Sequence, residues 1–415
     1  MEAPPIPQQT KQEIKQIDRA DLVVGIFADL DHDAVALVCN VLRALPDSLQ
    51  IVVLQRDSNG NSATGRSEVA EQDARLSLLP WSAFEPNAPE AVIESIASAY
   101  QSVFAVAQKL GARSCCLIAS KLETATLDWI RQLAQPLLEE FDLVAPYYAR
   151  RKFEGLLNNS IIYPLARALY GKRVHHPMGP DLGISRRLFE KMIGNNGAGK
   201  LGSQLHPLAS LLPMALCHGF RVGQVHMGAR VYPPTDWTNI SSLVAQVLGL
   251  MFSDMEKNAA CWQRVRGSAA VPAIGAPLVV AQESGTVDVS HMVNSFQLGN
   301  QDLQEIWRLV LPPATMLELR KLARLAPDQF QMPDDLWARI VYDFALGFHL
   351  RTMNRDHLLR SMTPLYLGWV ASYARELENA GTNALEQRLE RLSLAYETSK
   401  PYLVSRWRWP DRFNP

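Results

Sequence analysis

The sequence predicts an α/β fold: a mostly parallel sheet flanked by helices, followed by an all-helical C-terminal region. Two observations carry this. Between residues 21 and 146, continuous apolar, β-branched runs alternate with stretches of helical period, the pattern of successive βαβ units. After residue 300 the apolar residues recur at three- and four-residue spacing, which is the signature of helices with one buried face.

The first strand is expected at residues 21–27 (DLVVGIF), a helix at 33–45 with Val35, Val38, Leu42 and Leu45 on one face, and a second strand at 49–54 (LQIVVL). That strand ends in RDSNGNSATG, a dense cluster of turn residues. A helix over 91–110, a strand at 114–119 (SCCLIA), a helix over 126–140 and a strand at 142–146 (DLVAP) complete the alternation. Ligands of such sheets bind beyond the carboxyl ends of the strands, so 28–33, 55–65 and 120–124 are the expected site loops. Beyond 150 come a helix over 156–170 kinked at Tyr163-Pro164, a Gly/Pro loop at 175–183 (HHPMGPDLG), a loop at 194–207, a strand at 223–231 and a helix at 241–261. Helices are expected at 305–311, 316–325, 335–353, 362–380 and 384–394, with the tryptophans of the final RWRWPDRFNP packing on the helical layer.

Composition bounds the function. The chain has 415 residues, 47% hydrophobic and 20% charged, enough for a large core and incompatible with a disordered chain. Lys+Arg 41 against Asp+Glu 42 leaves a formal charge of −1, so nucleic acid is not an expected partner. The most apolar windows, 210–220 and 242–252, are too short to span a bilayer. Five scattered cysteines (39, 115, 116, 217, 261) make no disulfide framework and fit a reducing, cytoplasmic compartment. The organisation expected is a flexible tail over 1–20, an α/β domain over 21–265, a small-residue-rich linker or long loop over 266–299 and a helical domain over 300–415.

The order of these features resembles the GT-A-type nucleotide-sugar glycosyltransferases, nearest to the mannosylglycerate synthase and glucosyl-phosphoglycerate synthase group. DLVVGIF stands where the family opens its sheet, and LGARSCCLIASKLETATLDWI where it has the strand and loop of the metal-binding DxD motif. VAPYYARRKFEGLLNNSIIYPLARALYGKRVHHPMGPDLGISRRL matches the acceptor-side segment, and GFRVGQVHMGARVYPPTDW the strand leading to the last metal ligand. The resemblance covers roughly residues 20–400 and is most specific over 144–188. It implies transfer of a hexose from a nucleotide-diphosphate sugar to a small anionic acceptor, with retention of configuration. A homodimer is admitted as a further partner.

The metal motif is degenerate. Divalent Mg or Mn, typical of the family, is held by carboxylates and a His. The DxD position here reads Ala119-Ser120-Lys121, no Asp or Glu occurs between Glu190 and Asp236, and the closing His position holds Tyr232. The Gly-Lys-Gly of the family is replaced around Ala97-Ser98-Ala99. No metal ligands are therefore assigned. One reading is a metal-independent enzyme in which Lys121, with nearby arginines, supplies positive charge at the diphosphate. The other is a catalytically degenerate relative acting as a binding or scaffold module.

By resemblance, Asp181 takes the place of an acid contacting the transferred sugar or the acceptor; it reads equally well as the cap of a helix beginning near Ser185. Asp181 and Lys121 are thus the catalytic candidates, and Asp29, Asp57, Lys121 and Tyr232 the donor-binding ones. Arg150 matches a position gripping the acceptor's anionic group, which the planar guanidinium fork suits; Asn158 and Met178 match further acceptor contacts. Each has a plainer alternative: a surface arginine in the run Arg150-Arg151-Lys152, a helix-surface amide, a loop residue and, for Asp29, a helix-capping cluster. His175 and His176, being adjacent, point apart and do not chelate one ion. His226 reads as a packed strand histidine before it reads as a base.

Overall fold

The computed structural model describes residues 8–29, 32–56, 73–81, 92–119, 128–194, 206–230, 236–277, 287–378, 380 and 384–409. In chain order the elements of its first half are α1 (Gln8–Ile14), β1 (Leu22–Asp29), α2 (His32–Arg43), β2 (Ile51–Arg56), β3 (Leu76–Trp81), α3 (Val92–Lys109), β4 (Ser114–Ile118), α4 (Trp129–Glu139) and β5 (Leu143–Ala149). A π-helical turn (Asn158–Ile162) leads into α5 (Tyr163–Tyr170), then β6 (Lys172–Arg173), β7 (Leu182–Ser185), α6 (Arg186–Ile193), α7 (Pro207–Cys217) and β8 (Val222–Ala229). The remainder is α8 (Ile240–Lys257), α9 (Ala259–Trp262), β9 (Ala269–Ala270), β10 (Ala273–Ile274), α10 (Val289–Asp302), α11 (Gln304–Arg308), α12 (Pro313–Leu322), α13 (Asp334–Leu350), α14 (Arg355–Ser361), α15 (Thr363–Leu377) and α16 (Ala384–Arg408).

The chain divides into two compact units. The sheet unit comprises Met1–Ala149, Val174–Val231 and Val271–Val279; the helical unit comprises Arg150–Arg173, Tyr232–Ala270 and Val280–Pro415.

In the sheet unit eight strands run in the order β10-β8-β5-β7-β4-β1-β2-β3. All pair in parallel except β7, which is antiparallel to both β4 and β5. The mostly parallel sheet flanked by helices is the fold class expected. Its strands read as unbroken apolar runs because both faces are covered. Side chains alternate between the faces. Val23, Val52, Cys115 and Leu117 belong to a core with α3, α6 and α7, whereas Leu22, Val24, Val53 and Cys116 belong to one with α2 and α4. The adjacent Cys115 and Cys116 therefore sit in opposite cores, as free thiols that burial pushes far up in pKa. β1 lies between β2 and β4, so the chain reverses its direction of sheet growth there. The carboxyl ends of these strands form the topological switch point where such sheets bind ligands.

Several elements differ from the sequence reading. β3 (LSLLPW) was not expected; a proline inside it hid it, and Pro80 lies on the edge strand where a missing N–H is tolerated. The residues expected as a loose tail include α1, with Thr10 and Ile14 buried and the Thr10 hydroxyl donating to Pro80 O. Within the expected linker, residues from Val289 onward are α10.

The helical unit is pinned around residues 150–173. Pro164 has no N–H to offer the carbonyl of Ser160, four residues earlier. That carbonyl instead accepts from Trp337 Nε1 at 3.0 Å and Tyr396 Oη at 2.9 Å, and the backbone widens into the π-turn. Arg167, with a fully buried side chain, makes a two-pronged contact to Glu390 and a further one to Glu397. Lys400 Nζ donates to the carbonyls of Ala168 (2.7 Å), Leu169 (3.0 Å) and Val265 (3.0 Å), the first two being end groups of α5 that no helical N–H can reach. Of the C-terminal tryptophans, Trp407 packs edge-on against Trp262 at 5.2 Å, as expected, while Trp409 is exposed. No described helix is long and apolar enough to cross a membrane.

Candidate functional site

The sheet unit gathers its chemistry at the carboxyl ends of β4, β5 and β8. β7 runs antiparallel, so its first residue, Leu182, pairs with Leu117 near the carboxyl end of β4. Asp181 immediately precedes it. Its carboxylate is fully buried. Oδ1 accepts the Ala119 N–H at 2.8 Å and Oδ2 accepts the Tyr148 hydroxyl. Asp181 is not the helix cap: Ser185 caps α6, accepting from Leu188 N.

Tyr148, 2% exposed, carries the Cζ of Arg230 at 5.5 Å from its ring centroid. Tyr100 lies in the same field. Burial first, then the Asp181 carboxylate, hold its phenol well above the usual range, and the Arg230 charge opposes them. The Tyr100 hydroxyl donates to Pro180 O, fixing the residue before Asp181.

Arg230 reaches this cluster because of a bulge. Tyr147 pairs with His226, but Tyr148 pairs with Gly228 and Ala149 with Ala229, so β8 carries one extra residue, Met227. Strand side chains alternate, and an inserted residue reverses which face the following ones occupy. Without the bulge Arg230 would share the face of Tyr147; with it, Arg230 shares the face of Tyr148. Gly228 makes this possible at φ +73°, a left-handed conformation that costs a side-chain-bearing residue.

On the other face, Tyr147 stacks with His175 (centroids 3.8 Å, 8°) and with His226 (4.5 Å, 29°). Gln224 Oε1 accepts from His175 N at 3.2 Å and lies 3.1 Å from His175 Nδ1, which places a proton on that nitrogen. Burial lowers the pKa of His226, favouring the neutral ring. His176 turns the opposite way. It is buried against the Tyr148 ring at 4.9 Å, with Nδ1 3.3 Å from both Tyr148 N and Pro146 O. The adjacent histidines do point apart.

The remaining sequence-predicted residues divide as follows. Asp29 ends β1. Lys121, Asp57 and Tyr232 lie outside the described residues, as do most of the loops expected after β2 and β4. Met178 is half-buried and packs on the core shared with α3. Arg150 and Asn158 belong to the helical unit. There, Arg150 Nη1 donates to Gly155 O at 3.4 Å, and Asn158 Nδ2 donates to Asn159 Oδ1 at 3.3 Å. Gly155 sits at φ +60°, and a Cβ on it would fall 1.5 Å from Arg150 Nη1, so the bare α-carbon is what lets the guanidinium pass. Sequence reasoning missed Tyr100, Tyr147, Tyr148 and Arg230. The available signal was Gly228, an isolated glycine inside a strand, which marks a bulge.

Whether a divalent cation suits the site is decided by donor chemistry. Mg²⁺ and Mn²⁺ take hard oxygen ligands, carboxylates above all. Ala119-Ser120-Lys121 contributes no carboxylate, Asp181 spends both oxygens within the protein, and among the described residues no three His, Cys, Asp or Glu converge. These residues do not fit a metal.

No protein-family model and no curated protein matches the chain. Among solved structures it is similar to glucosyl-3-phosphoglycerate synthase from Mycobacterium tuberculosis in complex with Mn²⁺, UDP-glucose and phosphoglyceric acid. The identity is 15% over 61% of this chain and 85% of that one, with a TM-score of 0.37. A mycobacterial protein matches at 18% identity over 60% and 79%, TM-score 0.38. The same synthase with Mn²⁺, UDP and phosphoglyceric acid matches at 18% over 59% and 84%, TM-score 0.37.

Proposed function

We propose that the chain is a glycosyltransferase-like protein that binds a nucleotide-diphosphate sugar at the carboxyl ends of β1, β2 and β4 and transfers its hexose to a small anionic acceptor without a divalent cation. One observation carries the reading. A mostly parallel sheet switches its direction of growth at β1, the placement that gives α/β sheets their nucleotide sites, and the segment resembling the family's acceptor side, 144–188, supplies the groups at the strand ends next to it. Without a metal, the departing diphosphate needs cations from the chain; Lys121 and arginines are the residues for that role, Asp29, Asp57 and Tyr232 the further donor contacts, and Arg150, Asn158 and Met178 the acceptor contacts.

The enclosure of Asp181 supports a second reading, a catalytically degenerate relative that binds without turnover. A carboxylate with both oxygens engaged and no exposure is an organiser of the site rather than a group that meets a sugar. Calorimetry with a panel of nucleotide sugars, with and without Mg²⁺ or Mn²⁺, followed by a turnover assay with glycerate-type acceptors, separates the two. Metal-independent donor binding with turnover is the expected result. Donor binding without turnover, or no donor binding under any condition, overturns the transfer reading and leaves the degenerate one.

A further inference from the structure

We propose that the face of the helical unit where α8, α13 and α16 end docks on an anionic lipid surface, a property separate from sugar transfer. Arg351 and the cations around it meet the headgroups, and Trp409 and Leu350 enter the interface.

The three helix ends meet. Near the end of α16, Trp407 stacks on His349 of α13 (centroids 4.1 Å, 9°) and packs edge-on against Trp262, shortly after α8. Glu256, one residue before the end of α8, accepts from Arg355 Nη2 at 2.6 Å and lies 3.3 Å from His349 Nδ1. Arg408 Nε donates to Gln263 Oε1 at 2.6 Å. Helix C-termini favour cations, which accounts for Lys257 and Arg408 in the last turns. It does not account for Arg264 and Arg266, which follow α9 outside any helix and are exposed. The carboxylates beside these cations are engaged. Glu256 is held as described, Asp254 is buried and accepts the Tyr170 hydroxyl at 2.7 Å, and Asp356 pairs with Arg360 at 2.8 Å. Positive charge therefore faces outward here, on a chain whose formal charge is −1.

Arg351 is the sharpest sign. It closes α13 at φ 55°, ψ 41°, and among the described residues no other side-chain-bearing residue has a positive φ. A left-handed helix end is normally glycine, because a Cβ is strained there. An exposed arginine kept in that conformation points to a use for its charge. Next to it Leu350 is 41% exposed, and Trp409, directly after Arg408, is 58% exposed. Tryptophan settles at the headgroup level of a bilayer, and arginine stems let the charged heads reach lipid phosphates. A nucleic acid can stack on the tryptophan but has no place for the leucine, and an acidic peptide answers only the charge. An anionic bilayer takes the cations, the indole and the leucine together.

The test is co-sedimentation of the full chain with phosphatidylcholine vesicles, with and without anionic phosphatidylglycerol, for the wild type, Arg351→Gly and Trp409→Ser. Thermal melts check the fold of each. Wild type should pellet with the anionic vesicles, stay in solution with phosphatidylcholine alone, and be released as salt screens the charges. Arg351→Gly removes one cation and relieves the left-handed backbone. Its melting temperature should hold or rise while its partition onto anionic vesicles falls roughly fivefold, a loss that reduced stability would not explain. Trp409→Ser removes no charge, so binding should weaken severalfold with its salt dependence unchanged. Wild-type binding that is absent, equal on both kinds of vesicle, or unchanged in both variants overturns the assignment. Binding to an oligonucleotide or to polyglutamate without binding to vesicles also overturns it, in favour of that partner.

Discussion

Asp343 in α13 shows how far one buried group can set a condition on the whole helical unit. Its side chain is fully enclosed; Tyr402 Oη donates to Oδ1 at 2.6 Å and Arg406 Nη1 lies 3.2 Å from the same oxygen. Burial is the largest influence and pushes its pKa up to about 7, against the pull of Tyr402, Arg406 and Arg339. The folded chain therefore holds a proton there that the unfolded chain has already released above its ordinary carboxylate pKa. Stability from this source is complete below that ordinary value and is lost as pH rises through about 7. Between pH 5 and 8 the wild type should lose roughly 2–3 kcal/mol relative to Asp343→Asn, whose melting should be flat in this respect. Parallel thermal melts of the two at several pH values read this directly; curves that stay parallel sink the assignment. None of this is visible in the sequence, where Asp343 is one more polar position in an amphipathic run. Its burial follows from Tyr402 and Arg406, some sixty residues away, coming to rest on it.

At the level of elements, β8 and its bulge bear the most weight. Gly228→Ala would place a side chain at φ +73°, at a cost of about 1 kcal/mol or more. The backbone relieves that strain by flattening the bulge, which returns Arg230 toward the Tyr147 face. The expected outcome is a modest fall in melting temperature with a larger fall in nucleotide-sugar affinity; a variant that loses stability and affinity in proportion would show that the bulge aims nothing. Long periodic elements were legible in the sequence. β1, β2, β4, β5 and β8, with helices α2, α3 and α4, stand within a few residues of their expected places, because unbroken apolar runs and helical spacing are local properties; α7 (Pro207–Cys217) had no counterpart in the sequence reading. β3 was hidden by Pro80, and β7 by the Gly/Pro context of HHPMGPDLG, since what makes each a strand is its neighbour in the sheet. The site was legible only in part. A resemblance could point to Asp181, but its pairing with Tyr148 and Ala119 depends on an antiparallel strand inserted between β4 and β5.

For the molecule as a whole, the helical unit is not a contiguous piece of chain. Residues 150–173 and 232–270 belong with the C-terminal helices, where the sequence suggested a domain over 300–415 alone. A fragment 300–415 would leave Glu390 and Glu397 without Arg167, Lys400 without the carbonyls it caps, and Trp337 and Tyr396 without the Ser160 carbonyl. We expect it to show helical circular dichroism at most, with collapsed amide dispersion by NMR and no cooperative melt; a sharp transition would show that the segment is autonomous. The same contacts have a consequence for biosynthesis. Arg167 leaves the ribosome 223 residues ahead of Glu390, and the end of α5 leaves 232 residues ahead of Lys400. At about 5–20 residues per second, the nascent chain carries that unneutralised guanidinium and those open carbonyls for about 10–50 s before their partners exist. Over that interval the early segment is a ready client for chaperones, and α16, which carries Glu390, Glu397 and Lys400, is the helix that releases it.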